Sequence, residues 1–307
     1  MALHDFTFYD LINRNAVCYG NRPAWLDAED QRALSFVDIK QQVDRLAAGL
    51  QKRGVQKGER IGVLGKNSLD YFLLYGAAAA IGAIILPINW RLSAEEVIFN
   101  LNDGTPKVLF VDPEYQAMID GARGRLPSVE GYFTLKPPGG QFDSFNTLLT
   151  SSTGFAPAEV SDEDGLVIIH TAAVAGRPRG ALLTHRNLIS ANVHLNLLMH
   201  LSPHDVHLNL LPLFHVGGLF MATMAFHAGV LNLNMSKFDA TQAVDLIADK
   251  KVTVLFDFSP ILGSILDQQA KTGKEISSLR HVIGLEGPET IEKYQKQTGG
   301  TFYVMYG

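Results

Sequence analysis

Cysteine is nearly absent: Cys18 stands alone in a chain of 307 residues. A disulfide framework and a thiolate metal cluster are thereby excluded, and a reducing compartment is suited. Cys18 itself is expected to be a small buried apolar residue rather than a nucleophile. Positive charge is outnumbered, 26 Lys and Arg against 31 Asp and Glu, giving a net charge of −5 and a pI near 6.0. Runs of like charge are missing as well, so nothing draws the chain to nucleic acid or to an anionic membrane surface. Residues 1–17 are amphipathic and carry acids, which reads as neither a secretory signal nor a transit peptide and leads to the expectation of a cytoplasmic protein. A long uncharged apolar run occurs at 71–88, and Gly76, Gly82 and Pro87 punctuate it. A buried helix feeding a buried parallel strand gives the same pattern, so no transmembrane segment is expected.

What is present is a composition that can bury a sizeable core, 47% hydrophobic and 19% charged. Helical and strand periods alternate along the chain, the pattern of α/β architecture with mostly parallel sheets flanked by helices. Ser35 with Asp38, and Ser93 with Glu96, have the spacing of helix-opening capping boxes, and Asp239 with Gln242 opens a further helix. The alternation weakens between 113 and 164, around Pro137, Pro138, Gly139 and Gly140. Two packed subdomains are therefore expected, one spanning 60–200 and an incomplete one combining 1–59 with 201–307.

The stretch "HTAAVAGRPRGALLTHRNL" at 170–188 follows a predicted strand, the position where open α/β sheets bind ligands. Gly176 and Gly180 permit close backbone approach to a phosphate, Pro178 stiffens the turn, and Arg179 offers a planar cationic fork. A Gly/Pro turn ending in a solvated arginine accounts for the same local residues. His200, His204 and His207 have spacing that suits metal on a helix, but Pro203 breaks that helix. Exposed loop histidines, and no metal site, are the expectation.

Several further segments fall in the order of one family. The loop is similar to a Thr-Ser-Gly-Thr-Thr-Gly-x-Pro-Lys-Gly segment, with "ALLTHRNL" as its continuation; "LLPLFHVGGLF" at 210–220, "LRHVIGLEGPETIEKY" at 279–294 and "YVMYG" at 303–307 match later blocks. On these residues the chain resembles the adenylate-forming superfamily of acyl-CoA synthetases, luciferases and peptide-synthetase adenylation domains, specifically the N-terminal part. The resemblance implies ATP and coenzyme A as co-substrates, magnesium, and a small-molecule carboxylic acid as substrate. It places Thr171, Gly176, Arg179 and Gly180 at the phosphates, Gly287, Pro288 and Tyr306 at the adenine, and His215 with Gly217 and Gly218 at the acyl group, His215 being the candidate catalytic residue. This chain departs from the pattern at Ala172, Ala173, Val174 and Ala175, where three hydroxyls are lost, and at Arg179, which stands for lysine. In the family a magnesium-holding Thr-Glu follows "YG", and a small C-terminal domain brings a catalytic lysine. The 307 residues alone are accordingly expected to be an inactive N-terminal fragment of an acyl-CoA ligase. The alternative is a non-catalytic nucleotide- or acyl-binding homologue with a degenerate phosphate loop.

Overall fold

The computed structural model describes residues 6–136, 140–149, 155–171 and 178–305. Gly176, Tyr306 and positions 172–175 lie outside the described residues. The chain divides into two compact units: Met1–Arg22 with Leu34–Ala191 and Leu213–Val216, and Pro23–Ala33 with Asn192–Pro212 and Gly217–Gly307. Of the first 59 residues only Pro23–Ala33 join the second unit, a narrower share than the sequence boundaries assign. The reason lies in helix packing. Helices α1 (Phe8–Tyr19) and α2 (Phe36–Lys52) press Ile12 and Val43 onto Gly76 of α3 (Leu69–Ile81), where a Cβ would stand 2.6 Å from Val43 and 2.9 Å from Ile12.

Strands β1 (Pro23–Asp27) and β2 (Ala33–Ser35) precede α2, and β3 (Arg60–Leu64) begins the sheet of the first unit. With β4 (Ile84–Ile88), β5 (Val108–Val111), β6 (Gly131–Thr134), β7 (Asp143–Ser144), β8 (Gly165–His170) and β9 (Gly180–Thr184) its order is β7-β6-β5-β3-β4-β8-β9. All these pairs are parallel except β8 with β9, which form an antiparallel ribbon. Sequence reading missed β9 because "GALLT" runs directly into a helical pattern. The apolar run at 71–88 forms α3 and β4; every residue of α3 is buried, and no described helix is long and apolar enough to cross a membrane. Helix α4 (Ala94–Gly104) opens with the expected capping box, Ser93 accepting from the Glu96 amide and Glu96 from Ser93. Two further helices follow, α5 (Gln116–Ala122) after β5 and α6 (His185–Met199) after β9.

The sheet of the second unit has the order β14-β13-β12-β10-β11-β1-β2, from β10 (Val206–Asn209), β11 (Leu231–Asn234), β12 (Val254–Phe258), β13 (His281–Leu285) and β14 (Thr301–Val304). Leu208, Leu255 and Val282 turn to one face and pack with Val244 and Ile247 of α8 (Ala240–Lys250) and Ile265 of α9 (Ile261–Thr272). Val254 and Ile283 turn to the other, against Met221 and Met224 of α7 (Val216–His227). Two expectations are corrected here. Cys18 is exposed, since α1 buries Phe8, Leu11, Ile12 and Asn15 instead. His207 is buried within β10 and is no loop histidine, because the partner that satisfies its ring lies on β11.

Candidate functional site

Around the phosphate-type loop, register is set by the ribbon: His170 pairs with Gly180. The Thr171 amide donates to the Arg179 carbonyl at 3.0 Å and its hydroxyl reaches the same oxygen at 3.4 Å, so Thr171 closes the base of the loop. Glycine at 180 is required by packing, because a Cβ would lie 2.7 Å from Ile168. Arg179 is exposed, and among the described residues its guanidinium has no ion-pair partner. An exposed, unpaired arginine at the mouth of a strand–loop–strand segment is available to an anion. Sequence reading overlooked the neighbour of this loop, His170, whose Nε2 lies 2.9 Å from Asp103 Oδ2.

His215 is held by two residues that sequence reading also missed. Two positions earlier, the Leu213 amide donates to Asn67 Oδ1 at 2.7 Å, and the Leu213 carbonyl accepts from the Tyr75 hydroxyl at 2.8 Å. Asn67 follows β3, and Tyr75 is fully buried on α3, so both backbone groups of Leu213 are fixed by rigid elements. His215 is exposed, and partial burial of its ring, then the positive charge of Arg91, hold its pKa below the usual histidine range. Arg91 also lies over the rings of Trp90 and Phe214, at 4.5 and 5.8 Å from their centroids. A neutral imidazole at neutral pH can accept a hydrogen bond or a proton.

Gly217 and Gly218, in the first turn of α7, line a narrow crevice with His207, Asn209, Met221 and Phe256, in which no water-sized sphere fits. Gly218 also has a packing cause: a Cβ there would stand 2.2 Å from the Pro212 carbonyl oxygen.

Gly287 and Pro288 begin α10 (Pro288–Thr298), Gly287 as N-cap and Pro288 in the first turn, where its missing N–H costs nothing. Both are exposed, and nothing lies within 4 Å of a Cβ built on Gly287. The fold does not demand glycine there, and its small size leaves the surface open. Glu286 accepts from the Gly287 amide at 2.7 Å. At the end of β12, Asp257 accepts from the Leu262 amide at 2.9 Å, while its Oδ2 is buried without a hydrogen bond. Burial, then the nearby Glu286 charge, push the Asp257 carboxyl up to about 7. Among the described residues no group of three or more His, Cys, Asp or Glu forms a metal cage.

Comparison with known proteins identifies the family and the fold. The AMP-binding enzyme family matches residues 12–307. The indoleacetate–CoA ligase of Aromatoleum aromaticum is 34% identical over 282 residues, covering 90% of this chain and 55% of that protein. The long-chain-fatty-acid–CoA ligase FadD13 of Mycobacterium tuberculosis is 29% identical, covering 80% and 48%. The chain thus spans about half the length of these curated relatives. A Rhodopseudomonas palustris structure described as a candidate long-chain-fatty-acid CoA ligase superposes with a TM-score of 0.93 at 40% identity, over 100% of this chain and 76% of that one. The long-chain-fatty-acid–CoA ligase FadD1 of Archaeoglobus fulgidus gives 0.88 at 25% identity, over 96% and 61%. The two mostly parallel sheets flanked by helices are those of the N-terminal domain of adenylate-forming enzymes, and the chain belongs to the AMP-binding enzyme family.

Proposed function

We propose that the protein acts as an ATP-dependent acyl-CoA synthetase, joining a carboxylic acid to coenzyme A. The observation that carries this reading is the family match over 12–307 together with an exposed Arg179, without an ion-pair partner among the described residues, at the loop that the resemblance assigns to phosphate. The acid's carboxylate attacks the α-phosphorus of ATP, pyrophosphate leaves, and the thiol of coenzyme A then displaces AMP to form the thioester. Such a reaction is governed by positioning and charge stabilisation, with little general-base work. Arg179, with backbone amides of the loop, binds the phosphates, and Thr171 keeps the loop closed at its base. Gly287 and Pro288 leave an open surface for adenine. His215, held through Leu213 by Asn67 and Tyr75, receives the acyl carboxylate as a neutral ring beside the Arg91 charge. Magnesium, which ordinarily takes one or two carboxylates plus substrate phosphates, would neutralise phosphate charge when bound with ATP.

The alternative, a nucleotide- or acyl-binding protein without turnover, is favoured by one specific observation, the loss of three hydroxyls at Ala172, Val174 and Ala175. Incubating the full-length protein with ATP, magnesium, coenzyme A and a mixture of aromatic and aliphatic acids, followed by mass spectrometry for acyl-CoA, separates the two. Thioester product supports the synthetase; tight nucleotide binding with no product supports the binding protein.

A further inference from the structure

Two acids, each with one oxygen that lacks a donor, meet where β12 and β13 end. The parallel register pairs Asp257 with Gly284 and Phe258 with Leu285, and the Ser259 amide donates to the Leu285 carbonyl at 3.0 Å, so the two strands stay side by side up to Glu286. Gly284, the register partner of Asp257, brings no side chain to this end of the strands; a Cβ there would stand 1.8 Å from the Asp257 carbonyl oxygen. Each acid commits one oxygen to a helix start. Asp257 Oδ1 accepts from the Leu262 amide at 2.9 Å in the first turn of α9, and Glu286 Oε1 accepts from the Gly287 amide at 2.7 Å at the N-cap of α10. The second oxygens, Asp257 Oδ2 and Glu286 Oε2, are both buried and have no hydrogen-bond partner among the described residues.

The surrounding elements supply no compensating cation. Positions 261–264, the first turn of α9, hold no charged residue, and the first acid of that helix, Asp267, is bound to Lys293 of α10 at 3.0 Å. The strand beside β12 on its other side, β10, ends at Asn209 and runs on into Leu210 and Leu211. The first turn of α10 adds a further acid, Glu289. The segment before α8 carries an exposed Lys237, and Asp239, which is spent on the Gln242 amide at 2.9 Å. Burial and then the Glu286 charge oppose ionisation of Asp257. Two carboxylates in one water-poor site do not both ionise readily, and a single proton between them turns two unpaired acceptors into a donor and an acceptor.

We propose that Asp257 and Glu286 share one proton, and that this proton is a switch holding the start of α10, with the surface of Gly287 and Pro288, in the form that takes an adenine base. Loss of the proton to solvent leaves two like charges; Glu286, the less buried of the two, moves toward water and takes the Gly287 amide with it. This rests on the synthetase reading, which gives that surface to adenine. The test uses the full-length protein and adenosine, which has no phosphate to titrate. Infrared difference spectra of wild type against Asp257→Asn isolate the C=O band of the protonated Asp257 carboxyl. The band is expected at neutral pH and is lost as pH rises, and Glu286→Gln moves its midpoint to lower pH. Adenosine moves the wild-type midpoint upward, because proton and ligand strengthen each other by the same factor. Wild-type affinity for adenosine correspondingly falls about threefold or more from about pH 6 to about pH 9, whereas Asp257→Asn, whose amide N–H replaces the acid O–H, binds equally at both. A band that never appears, or a midpoint that Glu286→Gln leaves in place, overturns the shared proton. A titrating band that adenosine does not shift, with adenosine bound equally at both pH values, overturns the switch. If the band titrates and adenosine binds at neither pH, the adenine reading has failed and the switch falls with it, while the carboxyl pair itself stands. The wild-type titrations with and without adenosine decide the switch even where a variant does not fold.

Discussion

At the scale of single residues, the clearest consequences concern buried or unpaired charge. Asp257 is fully buried, with its carboxyl raised to about 7 against an ordinary 3.8. A raised carboxyl favours the folded state fully below the unfolded value, and that contribution is lost as pH rises through about 7. Asp257→Asn keeps an oxygen for the Leu262 amide and removes the charge. Urea titrations at neutral pH are expected to show the variant more stable by about 1–3 kcal/mol, with the gain vanishing toward pH 4. A variant less stable than wild type at neutral pH would show that the ionised carboxylate has a partner. Two buried histidines act in the opposite direction. His185 and His207 are both pushed down to about 4 by burial, so their contributions are present above the ordinary 6.5 and lost as pH falls toward 4. Acid denaturation should therefore be steeper in Asp257→Asn, where the opposing carboxyl no longer offsets them. Arg179 is the residue test of nucleotide binding: Arg179→Ala should weaken ATP affinity by about 1.5–3 kcal/mol, the scale of hydrogen bonds to a charged group. Equal affinity in calorimetry would remove Arg179 from the site.

At the scale of elements, two glycines separate packing from function. Gly218→Ala would drive a Cβ to 2.2 Å from the Pro212 carbonyl oxygen, so the first turn of α7 cannot accept it without backbone movement. A loss of more than about 2 kcal/mol in chemical denaturation is expected. Gly287→Ala meets nothing within 4 Å and should leave stability within about 0.5 kcal/mol while lowering nucleotide affinity. If both variants behave alike in both assays, the distinction drawn between the two glycines is wrong. The elements themselves were largely readable. The capping pairs Ser35/Asp38 and Ser93/Glu96, the cap Asp239/Gln242, and the helix–strand content of 71–88 depend on neighbours within a few positions and appear as read. What escaped depends on distant partners. Asn67 and Tyr75 meet Leu213 across 146 and 138 positions. The hydrogen bonds from Asn209 to Asn234 and from Asn234 to Asp27 cross three strands from opposite parts of the chain. Neither leaves a local period. Cys18 and His207 were misplaced for the same reason, since which face of α1 is covered, and what satisfies a strand histidine, is decided elsewhere in the fold.

At the scale of the whole molecule, the sequence carried the family through blocks in the right order, and the match over 12–307 agrees with it. The proposed chemistry divides among segments that each have a structural cause: a ribbon that fixes Thr171 and Arg179, a loop pinned at Leu213 that presents His215, and a helix start at Gly287 and Pro288 with an open surface. Activation of an acid by ATP requires all of them at once, whereas simple nucleotide binding does not require an acid. The most direct measurement is therefore exchange of labelled pyrophosphate into ATP by the full-length protein, with magnesium, in the presence and absence of carboxylic acids. The account predicts exchange that depends on the acid and falls at least about tenfold in Arg179→Ala; nucleotide binding without acid-dependent exchange, across both aromatic and aliphatic acids, would contradict it.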